Sequence, residues 1–312
     1  MKILILSLGL FLFIGGSNAQ DKAPATSGNV NYRLVWHDEF DNPRLDARTW
    51  TIIKDGKGGG NKELQYYRRQ NIAIGSEPGT GESCLVITAR KENYRSRPGT
   101  SGRITSSNKM YFRYGKIEAR IKMPKTANGL WPAFWLVGEG YPTVVWPKCG
   151  EIDIVEMGNA DGIRNNVQNR YFNGACHWGE EFNHGKYPNY GKPTTSEYSL
   201  QDGFHLYTLV WDKESVRMYL DQDKYPDANP YFEMPIQGED LPNNPAHYFH
   251  KPYHVIFNVA VGGNFPHIYN IEEVTALKDG EATMYVDYVR LYQQGTPEES
   301  ISKPGKGHCK TR

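Results

Sequence analysis

Residues 150–157 read GEIDIVEM, a run in which acids alternate with aliphatics. Extended backbone places residues i and i+2 on one face, so Glu151 and Asp153 share a face. Glu156 lies five positions beyond Glu151, and strict alternation would turn it to the opposite face. One extra residue looped out between Asp153 and Glu156, a β-bulge, brings it back, and bulges are enriched beside active sites. The three acids then line one face, and Ile152, Ile154 and Val155 pack beneath.

The spacing selects a chemistry. With the bulge the two glutamates stand as if four strand positions apart, about 13 Å between Cα atoms at roughly 3.3 Å per residue. Two Glu side chains leaning inward bring the carboxyls to about 5 Å, the separation of glycosidases that retain configuration, whereas inverting ones need about 6.5–9.5 Å to admit a water. The pattern therefore predicts a retaining glycosidase. Mutual repulsion raises at least one pKa, as a general acid working near neutral pH requires. A solvated strand face is the plain alternative; two Glu and an Asp among Ile and Val argue against it.

Something must hold this strand in place. Short β-rich runs at 84–89, 115–123, 204–211, 215–220, 253–261 and 283–292 are separated by Gly, Pro, Asn and Asp. Helical period hardly lasts three turns anywhere; 271–278 is the one short helix expected. Many short strands without βαβ alternation predict an all-β sandwich or barrel. Stretches 157–199 and 222–252 read as long loops, which in a compact domain are usually functional.

The chain opens with Lys2, an apolar run from Ile3 to Ile14, and Ser17-Asn18-Ala19, the three-part pattern of a cleaved signal peptide over 1–19. The run falls short of the roughly 20 residues that span a membrane, so a secreted or periplasmic protein without a membrane partner is expected. Residues 20–31 and 294–312 read as flexible flanks around a catalytic domain at 32–293, a plausible size for one large sandwich.

The full chain carries 36 Lys+Arg against 35 Asp+Glu, and losing Lys2 with the leader balances them. That balance argues against nucleic acid as a partner. Cys84, Cys149, Cys176 and Cys309 are too few and scattered for a disulfide scaffold or a paired-cysteine zinc site, although one bridge could form. The nine His are dispersed and no HExxH occurs, which argues against a metal-dependent hydrolase. Aromatics make up 13% of the chain, an excess that a sugar-binding groove or a thick core would absorb.

The strand E-I-D-I-V-E resembles the signature of the bulged branch of glycoside hydrolase family 16. NKELQYY at 61–67, SGRI at 101–104, YGKIEAR at 114–120, GLWPAFW at 129–135 and YVDYVR at 285–290 resemble laminarinase-type blocks in the same order. The resemblance covers roughly 32–293 and implies a concanavalin A-like jelly roll, two curved antiparallel sheets with the glycan across the concave face. It implies Glu151 as nucleophile, Glu156 as acid/base and Asp153 as the residue between that tunes the nucleophile. It further implies sugar-binding roles for Asn61, Glu63, Arg103, Trp131, Trp135, His177 and Trp178. Catalysis needs no cofactor in this family, and a structural Ca²⁺ away from catalysis is implied, with Glu39 and Asp287 matching its ligands. A monomer acting on a polysaccharide or glycan is expected, β-1,3-glucan first. The long segments 157–175 and 179–199 depart from the laminarinase pattern and keep endo-β-galactosidase action on poly-N-acetyllactosamine or mucin-type O-glycans open. A non-catalytic lectin is the reading from another class; retention of all three acids counts against it.

Overall fold

The computed structural model describes residues 31–182 and 186–302. The expected signal segment 1–19, residues 20–30 and the tail from 303 onward lie outside them, as does Cys309. Strands are the main regular element among the described residues, and each of the six apolar runs expected from sequence falls on a strand. Ser83–Arg90, Gly115–Lys122, His205–Trp211, Ser215–Leu220, Tyr253–Val261 and Glu281–Gln293 are their bounds.

The strands form two sheets. A ten-stranded sheet is organised around Glu281–Gln293, which pairs antiparallel with Gly115–Lys122 and with Ser83–Arg90. In the nine-stranded sheet seven strands run in the order Asn189–Thr195, Tyr171–His177, Glu151–Met157, Leu130–Gly138, Tyr253–Val261, Arg103–Thr105, Thr51–Ile52, and Tyr111–Arg113 branches from Tyr253–Val261 with Ser300–Ser302 paired to it. The acid-bearing strand therefore lies inside the sheet, between two partners. The packing is a sandwich, one of the two architectures that the strand pattern predicts, and the jelly roll that the resemblance implies.

Between the sheets lies the core. Ile117, Ala119 and Ile121 alternate inward from one sheet; Leu130, Phe134, Leu136, Ile152, Ile154 and Val155 point inward from the other, all fully buried. Phe134 and Phe257, on adjacent strands, stack with ring centroids 4.7 Å apart. Each such side chain contributes about 1.5–3 kcal/mol by leaving water. This makes the floor of the acid-bearing sheet rigid. No helix among the described residues is long and apolar enough to cross a membrane.

Four expectations need correction. The helix expected at 271–278 is two 3₁₀ turns, Ile271–Glu273 and Thr275–Leu277, because Val274 between them has φ −78° and ψ 81° and turns its side chain into the core. The presumed loop 157–199 contains the strands Tyr171–His177 and Asn189–Thr195, and its true loops are shorter. The presumed loop 222–252 contains the strand Phe232–Pro235 and the one-turn helix Pro245–Tyr248. The flank from 294 is ordered as far as 302: Ser300–Ser302 pairs with Tyr111–Arg113, and the Glu299 carboxylate accepts from the backbone N–H groups of Gln294, Gly295 and Thr296. Of the cysteines, Cys84, Cys149 and Cys176 are buried free thiols.

Candidate active site

The bulge is where the alternation argument requires it. Asp153 pairs with Trp135 on one neighbour and Ala175 on the other; Glu156 pairs with Ala133 and Asn173, with a register shift between the two acids on both sides. Val155 still pairs with Phe134, so Ile154 is the extra residue. Ile154 and Val155 both turn into the core, with no exposure, and Glu151, Asp153 and Glu156 are left on the outer face.

Their surroundings set the charge. Glu156 is 8% exposed, and its Oε1 accepts a hydrogen bond from Trp131 Nε1 at 2.8 Å. Burial, then the neighbouring Asp153, pushes its pKa up to about 8. Asp153 is 4% exposed and burial lifts it to about 8 as well. His177 Nε2 lies 3.2 Å from Asp153 Oδ2, but the two are not aligned as a hydrogen bond, so that oxygen has no donor. Glu151 is raised well above the carboxylate range by burial and by Asp153, while His177 and Arg103 pull it back. Of the three acids it alone keeps appreciable solvent contact, and His177 and Arg103 both favour its charged form.

Donor atoms of Glu151, Asp153 and His177 all lie within 4.8 Å of one another, close enough to hold a cation. The acids in question are, however, those that glycoside chemistry uses. We derive no metal-dependent step.

Several expected groove residues share the outer face. Trp131 stacks on Phe265 with centroids 4.7 Å apart, and Trp135 donates through Nε1 to Asn258 Oδ1 at 2.7 Å with the Arg103 guanidinium 4.7 Å over its ring. Both rings are partly exposed, each with protein against one side. His177 pairs with Glu151 across the strands, and its Nδ1 meets the Tyr187 hydroxyl at 3.1 Å. Asn61 is half-buried at the start of the loop that leads to Glu63.

Others take different places. Trp178 follows His177 on the chain and therefore turns the other way: it is 7% exposed, edge-on to Phe249, a core residue. Glu63 is 5% exposed, and its Oε2 accepts from Gln65 Nε2 at 2.5 Å and from the Tyr67 hydroxyl at 3.3 Å. Gly59, at φ +56°, makes room for it, since a Cβ there would fall 2.2 Å from Glu63 Oε1. Tyr67 in turn accepts from Asn258 Nδ2, so Glu63 anchors a buried chain that ends at Trp135. Glu39 and Asp287 lie on the other sheet, away from the acids, as the calcium expectation requires. Glu39 does not fit that role here, because both its oxygens accept from Arg290, at 2.9 and 2.8 Å. Asp287 accepts from Arg120 through Oδ2 at 2.6 Å.

Sequence reasoning missed Asn258, Tyr187, Phe265 and Trp146. Asn258 was detectable as the polar residue inside the apolar run from Val255 to Val261. Trp146, Phe182 and Tyr187 cluster beside His177, with centroid separations of 4.7–6.1 Å among their contacts. Trp146 comes from the segment between Gly138 and Glu151, and Phe182 and Tyr187 from that between His177 and Asn189, so the cluster carries no periodic signal.

The comparisons agree with this geometry. The description "Glycosyl hydrolases family 16" matches residues 64–250. The Beta-glucanase of Rhodothermus marinus is 33% identical over 290 residues, spanning 89% of this chain and 89% of that protein. The Clotting factor G alpha subunit of Tachypleus tridentatus is 32% identical over 277 residues, 88% of this chain, but this chain spans just 36% of that longer protein. A Bacteroides ovatus family 16 enzyme of a mixed linkage glucan locus, solved with a G4G4G3G product, is 36% identical, covers 83% of this chain and 100% of its own, and superposes with a TM-score of 0.72. The chain belongs to glycosyl hydrolase family 16 and is a glycoside hydrolase.

Proposed function

We propose that the protein is a retaining endo-β-glucanase that cuts β-1,3-glucan, with Glu151 as nucleophile, Glu156 as acid/base and Asp153 positioning the nucleophile. The observation that carries this reading is the bulge at Ile154, which brings all three acids to one face while Glu156 keeps its proton to about pH 8. Glu156 protonates the departing glycosidic oxygen as the Glu151 carboxylate attacks the anomeric carbon, forming a glycosyl ester. Glu156, now ionised, takes a proton from water; that water attacks the anomeric carbon and releases Glu151. No cofactor enters either step. The half-exposed rings of Trp131 and Trp135 offer apolar faces for sugar rings beside the acids. The glucanase names of the relatives support a glucan substrate.

Digestion of laminarin followed across pH tests the proposal. A ladder of short oligosaccharides is expected, with kcat/KM falling as pH rises through about 8 and Glu156 loses the proton it must donate. Laminarin left intact while poly-N-acetyllactosamine is shortened would move the substrate to galactosides, and a rate that stays level well above pH 8 would remove Glu156 as the acid.

A further inference from the structure

The bulge that aligns the acids has a cost of its own. Ile154 is outside the ladder register and fully buried, so its carbonyl needs a partner from the protein. That partner comes from the opposite sheet. Tyr231, 8% exposed and next to the strand Phe232–Pro235, donates its hydroxyl to the Ile154 carbonyl. Its backbone N–H is fixed to the Met218 carbonyl at 2.9 Å, and its ring stands edge-on to Phe172 with centroids 4.9 Å apart. The hydroxyl is thus held from both ends of its residue.

The neighbouring strand is shaped for the same contact. Asn173 pairs with Glu156 and Ala175 with Asp153, so Gly174 faces the bulge itself. A Cβ at 174 would lie 3.1 Å from Tyr231 Cε2 and 2.8 Å from Met218 Sδ. Glycine leaves the ring its path to Ile154, where a Cβ would force the ring and Met218 to shift.

We infer that Tyr231 is a positioning residue, which by holding the Ile154 carbonyl fixes Glu156 at its working distance from Glu151. The inference rests on the proposed acid/base role of Glu156. The sequence has a competing conformation, a regular strand without the bulge, and in it Glu156 turns toward the core. Glu151 is held independently of the bulge by Val137 and His177 on either side, so a relaxed bulge displaces the acid more than the nucleophile.

The difference between acid and nucleophile makes the test specific. Tyr231→Phe keeps the ring and removes the hydroxyl alone. Its kcat/KM on laminarin oligosaccharides is expected to fall about 10–100-fold, the scale of an ångström-sized misplacement, through kcat rather than KM. On a 2,4-dinitrophenyl β-glucoside of the same oligosaccharide, whose leaving group departs without a proton, kcat/KM should fall less than about threefold. Gly174→Ala, which pushes the ring from the other side, should give the same split. The activated substrate also reports how much enzyme is folded. Unchanged laminarin hydrolysis in Tyr231→Phe, or equal losses on both substrates, would overturn the inference. Glu156→Gln run alongside separates the two readings: if that variant hydrolyses laminarin normally, the acid/base assignment has failed whatever Tyr231 does.

Discussion

Glu151→Gln and Glu156→Gln are each expected to lower kcat on laminarin by at least about 1,000-fold, because each removes a group whose bonding or protonation changes in the transition state. The amide is close in size to the acid, and the core beneath the strand is unchanged. Circular dichroism should therefore show a native fold in both variants. The two losses should differ in kind. Glutamine at 151 cannot form the glycosyl ester, so every substrate fails. Glutamine at 156 cannot protonate a sugar oxygen, so poor leaving groups suffer far more than activated aryl glycosides. A variant at either position with turnover near the wild-type rate would take that residue out of the mechanism.

The same Glu156→Gln substitution is expected to raise the melting temperature at neutral pH. In the unfolded chain Glu156 ionises near 4.5; in the fold it does so near 8, with burial the main cause. A carboxyl raised in this way lets the fold keep its full stability below the unfolded pKa and takes stability away as pH climbs toward the folded one. At pH 7 the folded state must hold a proton that the unfolded state has already released. A neutral glutamine carries no such penalty, and it can still accept from Trp131 Nε1. Since about 1 kcal/mol moves the melting point of a domain this large by roughly 2–4 °C, a gain of several degrees at pH 7 is expected, shrinking to nothing by about pH 4. A variant that melts lower than the wild type at pH 7, or a gain that persists unchanged at pH 4, would show that Glu156 is not a strained carboxyl. An acid in this position trades stability for reactivity.

The acid-bearing strand was legible because its alternation was chemical as well as apolar. A single skipped beat in Glu151, Asp153 and Glu156 predicted the bulge, and the structure places it at Ile154. Strands with buried apolar faces, such as Tyr253–Val261, were equally plain. Asn189–Thr195 was not, because this outermost strand of its sheet is exposed at almost every position and shows no alternation to read. Trp178 illustrates a mistake that the strand rule itself could have prevented: two consecutive residues, His177 and Trp178, do not both face the groove. Glu63 and Glu39 failed for another reason. Their partners, Gly59, Tyr67 and Arg290, are set by loop geometry and by pairing between distant strands, which a one-dimensional pattern does not carry.

The configuration of the first sugar released tests the central claim most directly. Proton NMR recorded during the opening minutes of laminarin oligosaccharide hydrolysis, before mutarotation, reads the anomer formed by the enzyme itself. The strand spacing predicts carboxyls about 5 Å apart, which leaves no room for a water to attack in the first step, so the glycosyl ester on Glu151 is expected to form and the β-anomer to appear first. The α-anomer as first product would contradict the account.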